Sequence, residues 1–157
     1  MRISRQKVRV LYVEGYPRWE YRFLKNLLLR ADDNVQAQVF LQSATRDFRQ
    51  EASEDLVPLT RVPTSRKELL DGYDVIVLGD VNPLEIDPDP TLGEEFVASL
   101  VEFVESGGGL CFLSGEFDNP RSFPPRSPLE DLLPVVVEAS GYLPEEDYRL
   151  EFRPVLE

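Results

Sequence analysis

Val8-Arg-Val-Leu-Tyr-Val-Glu-Gly-Tyr-Pro-Arg-Trp-Glu-Tyr-Arg-Phe-Leu-Lys-Asn26 changes its periodicity midway, and that change decides the fold. The first six residues are apolar and β-branched, which predicts a short buried strand that stops at Glu14-Gly15. Pro17 then opens a helix, because the first turn has N–H groups without partners and proline simply lacks one. Trp19, Phe23 and Leu27 recur every four residues with Leu24 and Leu28 beside them. They form one apolar stripe along about three turns, and Trp19 is expected to begin the core. Arg18, Arg22 and Lys25 fall largely off the stripe, and Tyr16 and Arg18 are the better surface candidates.

The same alternation continues outward. Val35–Leu41 alternates as a second strand, after the turn cluster Asp32-Asp33-Asn34. Residues 42–64 have no period and read as a long loop. Ser65-Arg-Lys-Glu68 is a capping box that opens a short helix ending near Gly72. Val75–Leu78 is a third strand that exits at Gly79-Asp80. Thr91-Leu-Gly-Glu94 reads as a second capping box, before a helix carrying Phe96, Val97, Leu100, Val101 and Val104 and ended by Gly107-Gly-Gly109. Leu110–Leu113 is a fourth strand, Pro128–Leu133 one helical turn, and Val135–Glu138 a fifth strand. Tyr148, Leu150 and Phe152 suggest a last, half-exposed strand.

Strands alternating with helices predict one α/β domain over 1–157: a mostly parallel five-stranded sheet with helices on both faces. The expected order is 2-1-3-4-5, flavodoxin-like, with a crevice at the C-terminal ends of strands one and three. Glu14, Gly15, Tyr16, Arg18, Asp80, Asn82, Ser114, Glu116 and Asn119 are placed there.

Composition narrows the chemistry. The chain has 157 residues, one Cys and no His, so no Ser-His-Asp or Cys-His triad can be built from it. A single Cys permits no internal disulfide and no CxxC site. Residues 1–50 carry 10 basic and 5 acidic side chains, and residues 51–157 carry 7 basic and 24 acidic. That balance argues against nucleic-acid binding. No apolar run is long enough to span a membrane.

Residues 10–26 resemble a bacterial group of large membrane-associated proteins, familiar from planctomycetes. These combine von Willebrand factor A domains with a class I glutamine amidotransferase-like domain. Residues 38–49, Tyr73-Asp-Val-Ile-Val-Leu-Gly-Asp-Val-Asn-Pro83 and Phe103-Val-Glu-Ser-Gly-Gly-Gly-Leu-Cys-Phe-Leu-Ser-Gly115 are similar to the same group. The resemblance spans roughly residues 8–138 and implies an amidotransferase-like sheet within an envelope-associated protein. Active members place a nucleophilic Cys on a Gly-x-Cys-x-Gly elbow after a strand, with a downstream His and Glu. Here the matching exit is Leu113-Ser-Gly-Glu116, and Cys111 lies two residues inside the strand. The resemblance therefore implies a non-catalytic member. The strand-like end at Leu156-Glu157 fits a piece of a longer chain.

Cys111, between apolar neighbours, is expected to be an inert core thiol. Ser114 lacks a base, and Glu116 reads as a loop residue capping the next turn. Glu14 and Asp80 end adjacent strands and could hold Mg²⁺ or Ca²⁺. Gly79-Asp-Val-Asn-Pro83 also resembles the phospho-acceptor region of receiver domains, although a single acid follows strand one and no Lys follows strand five.

The expected function is non-enzymatic binding through Glu14, Tyr16, Arg18, Asp80, Asn82, Glu116 and Asn119, with no cofactor. The expected partner is a protein, a neighbouring domain of the same chain or a second copy, with no nucleic acid and no membrane insertion by this segment. The alternatives are a carboxylate-based metal-binding or hydrolytic module using Glu14 and Asp80, and a receiver-like signalling domain.

Overall fold

A computed structural model describes residues 7–30, 33–45, 47–117, 119 and 127–134. Strands β1 (Val8–Glu14), β2 (Val35–Leu41), β3 (Glu51–Ala52), β4 (Val75–Leu78) and β5 (Gly109–Phe112) form one sheet in the order β3-β2-β1-β4-β5. Helices α1 (Trp19–Arg30), α2 (Arg66–Gly72) and α3 (Pro90–Glu105) connect them, with single 3₁₀ turns at Pro83–Glu85 and Glu130–Leu132. The β1–β2, β1–β4 and β4–β5 pairs are parallel, and β2–β3 is antiparallel. None of these helices is long and apolar enough to cross a membrane.

The expected order is corrected at the edge. Glu51–Ala52, read as loop, returns antiparallel beside Gln38 and Val39. A two-residue strand is too short to show a period, so no sequence pattern marks it. The strands at 35–41, 8–13, 75–78 and 110–113 keep the neighbours expected of them. The strands expected at 135–138 and 148–152 lie outside the described residues.

Each parallel strand serves two cores, because successive side chains point to opposite faces. Leu11 and Val13, with Ile76 and Leu78, pack against Leu69 of α2 and Phe96, Leu100 and Phe103 of α3. Val10, Tyr12, Val39 and Val77 pack against Tyr21, Leu24 and Leu28 of α1 on the other face. Burial of each such side chain contributes about 1.5–3 kcal/mol before chain entropy is set against it.

That second core overturns the expected stripe. Tyr21 is the buried residue of α1, while Trp19, Phe23 and Leu27 are 69%, 68% and 57% exposed. Two apolar rows lie on one helix. Tyr21–Leu24–Leu28 takes the sheet because Tyr21 packs against Tyr12 in a tilted ring pair, with centroids 6.0 Å apart.

The helix ends follow local chemistry. The Ser65 and Glu68 capping box is formed as read, and α2 ends at Gly72. The second box is not the start of α3. The Asp89 carboxylate accepts from the Thr91 N–H instead, with Pro90 in the first turn. After α3, Gly107 takes φ +95°, a conformation that glycine reaches without strain.

Cys111 is also corrected. It lies inside β5 opposite Val77, as expected, but its side chain is exposed. Leu110 and Phe112 pack toward the α2–α3 side, so Cys111 points to the α1 side. There α1 packs over β1 and β2 rather than β5.

Candidate functional site

The parallel register aligns Glu14 with Leu41 and Val13 with Leu78, so the strand exits meet along one edge. That edge divides into two parts.

The first part is a closed network over the ends of β1, β4 and β5. Glu14 is fully buried. Its Oε1 accepts from the N–H groups of Gly15 at 3.1 Å and Asp80 at 2.7 Å. Its Oε2 accepts from the Tyr12 hydroxyl at 2.8 Å and Arg18 Nε at 3.1 Å. Four donors saturate the carboxylate, which is how a buried charge is held. Burial first, and then the Glu14 charge, raise the Tyr12 phenol far above its ordinary pKa.

Arg18 extends the network across the sheet edge. Its Nη1 donates to the Ser114 carbonyl at 2.8 Å and its Nη2 to the Leu113 carbonyl at 3.2 Å. Asp80, 1% exposed, accepts from the N–H groups of Phe117 at 2.9 Å and Asn119 at 2.8 Å. Asn119 is buried as well and donates through Nδ2 to the Gly79 carbonyl at 3.0 Å. Glycine is required where these carboxylates lie. A Cβ on Gly79 would stand 2.3 Å from Glu14 Oε2, and one on Gly115 2.1 Å from Asp80 Oδ2.

The second part is open. A hollow of about 130 Å³ lies over the ends of β1, β2 and β4, lined by Gly15, Tyr16, Gln42, Ser43, Asn82 and Glu85. It adjoins a groove of about 570 Å³ between Phe40, Gln42, Thr60-Arg61-Val62 and the Leu84–Pro90 loop. The two share Gln42, whose Nε2 donates to the Glu85 carbonyl at 2.6 Å. Arg61 on the groove wall pairs with Glu68 at 2.5 Å. That hydrogen bond holds its pKa above the ordinary value, with the charges of Glu68, Asp87 and Glu95 adding to it.

The structure thus sorts the expected residues. Tyr16 and Asn82 line the hollow. Glu14, Asp80 and Asn119 are buried inside the network, and Arg18 joins its two ends. Glu116 is exposed on the loop that Asp80 holds. Glu14 and Asp80 do come together, as the cation reading requires, but protein donors occupy both oxygens of each carboxylate. Among the described residues, no group of three or more His, Cys, Asp or Glu is placed to hold a metal.

Gln42, Glu85, Arg61 and Asp87 were not singled out by sequence. The one available signal was the length of the 42–64 loop, which supplies a groove wall. No family model, curated protein or solved structure matches the chain.

Proposed function

We propose that this chain is a non-catalytic binding domain of the flavodoxin-like, class I amidotransferase-like type, acting within a larger envelope-associated bacterial protein. Its binding seat is the hollow and groove over the ends of β1, β2 and β4. The observation that carries this reading is the division of the sheet edge. The carboxylates that could do acid–base chemistry are buried and saturated, while the concave surface beside them is lined with hydrogen-bonding groups. Doubly wound sheets bind ligands in the crevice outside the carboxyl ends of their strands, where the strand order reverses. At the Leu113-Ser-Gly115 exit, where an amidotransferase would carry its nucleophile, the Leu113 and Ser114 carbonyls accept hydrogen bonds from Arg18 instead.

The deciding experiment is a glutamine hydrolysis assay on the purified chain and its Cys111→Ala variant. The expected result is ammonia release at the uncatalysed rate from both. Release above that rate, lost in Cys111→Ala, overturns the proposal.

A further inference from the structure

Among the described residues, the outer face of α1 belongs to neither core. Trp19, Phe23 and Leu27 stand at i, i+4 and i+8, one straight ridge along the helix. Each leaves more than half of its surface in water. Together they approach the size of the largest apolar patch on a typical monomer, about 300–600 Å², which is often functional. The ridge is already ordered: the Trp19 and Phe23 rings stack with centroids 6.2 Å apart, and the Arg22 guanidinium lies 6.0 Å over the Trp19 ring. Ordered anchors lose little freedom on binding.

Charge selects the occupant. Glu20 is the one acid on α1, against Arg22, Lys25 and Arg30. Lys25 is turned inward to Glu51, which leaves Arg22 and Arg30 exposed beside the ridge. This basic strip lies on a chain of net charge −12. A second α1 would bring like charges together. An anionic membrane would repel the acidic remainder of the chain.

We propose that the outer face of α1 docks an acidic amphipathic helix of a partner protein, with Trp19, Phe23 and Leu27 as anchors and Arg22 and Arg30 as the charged rim. This surface is independent of the hollow and groove, and it stands whether or not those bind anything.

Trp19 is the only tryptophan, so its fluorescence reports the surface directly. The probe is a designed helical peptide with leucines at i, i+4 and i+8 flanked by glutamates. Its control has the same leucines flanked by lysines. The expected result is a saturable blue shift with the acidic peptide, weaker with the basic one. Phe23→Ser is expected to weaken acidic-peptide binding at least tenfold, and Arg22→Glu to reverse the preference between the peptides. Because both residues are exposed, their variants should melt with the parent, which separates lost docking from lost folding.

Four outcomes overturn the proposal. They are no shift up to millimolar acidic peptide, an equal or larger shift with the basic peptide, a shift only with phosphatidylserine-containing vesicles, and a dimer in light scattering that Phe23→Ser abolishes.

Discussion

The two halves of the sheet's C-terminal edge do opposite things: the exits of β1, β4 and β5 carry glycine and an acid (Glu14-Gly15, Gly79-Asp80, Gly115-Glu116), whereas β2 exits through Gln42-Ser43. Over β1, β4 and β5, Glu14, Asp80, Arg18 and Asn119 turn inward and consume one another's hydrogen-bonding capacity. Over β2 and the loop after β4, Gln42, Asn82 and Glu85 border open space. The difference teaches that a carboxylate at a strand exit is not in itself a sign of chemistry. Where a guanidinium and backbone N–H groups converge on it, it holds loops. The concavity develops beside the acids, where a neighbouring loop leaves a gap.

The harshest way to break this contrast is Glu14→Ala. It strands Arg18, the Tyr12 hydroxyl and two backbone N–H groups in a buried place. Urea unfolding should show a loss of about 3–5 kcal/mol, the range for removing one partner of a buried ion pair. A loss under about 1 kcal/mol would mean that the network is ornamental.

Asp80→Asn comes next. An amide offers one acceptor where Phe117 and Asn119 require two, so about 1–3 kcal/mol should be lost. Hydrogen exchange should quicken at those two N–H groups and remain unchanged in the hollow.

Alkali probes the same side. Burial, with the charges of Glu51 and Glu14, pushes Tyr21 up to about 12 from 10.0. A folded-state pKa above the unfolded value means that the neutral phenol is favoured in the fold. Its contribution is therefore complete below pH 10 and is lost as pH rises through about 12. Stability should fall across that window, and Tyr21→Phe should flatten the fall by about 1–2 kcal/mol.

The mildest test lies in the open half. Gln42→Ala and Asn82→Ala should each cost about 1 kcal/mol, because each removes only half-exposed hydrogen bonds, from Gln42 to the Glu85 carbonyl and from the Leu84 N–H to the Asn82 cap. A larger loss would show that the hollow, too, is held by these groups.

The legibility of the chain follows the same division. The parallel strands, the Ser65–Glu68 box and the stop at Gly107 were readable because each depends on neighbours in sequence. So was the convergence of Glu14, Asp80 and Asn119 on one edge, since topology alone places strand exits together. The direction in which those side chains point was not readable. It depends on Arg18 reaching Ser114, 96 residues away. The α1 stripe failed for a related reason. The helix carries two apolar rows, and the sheet's Tyr12, rather than any feature of the helix, selects the row with Tyr21. The burial of Cys111 failed because a run of apolar neighbours cannot reveal that α1 leaves β5 uncovered. β3 was missed because it is two residues long.

The Arg18 bridge also bears on how the molecule assembles. Its partners come from β1 and from the exit of β5, and the Glu14–Asp80 bond joins residues 66 apart. Such contacts can close only after β1, β4 and β5 have docked, since the chain between them must first be gathered. Interactions made after the transition state govern escape from the native state rather than arrival at it. Glu14→Ala should therefore speed unfolding in a chevron experiment while leaving the refolding arm nearly where it was. The bridge acts as a late latch that sets how long the assembled sheet persists.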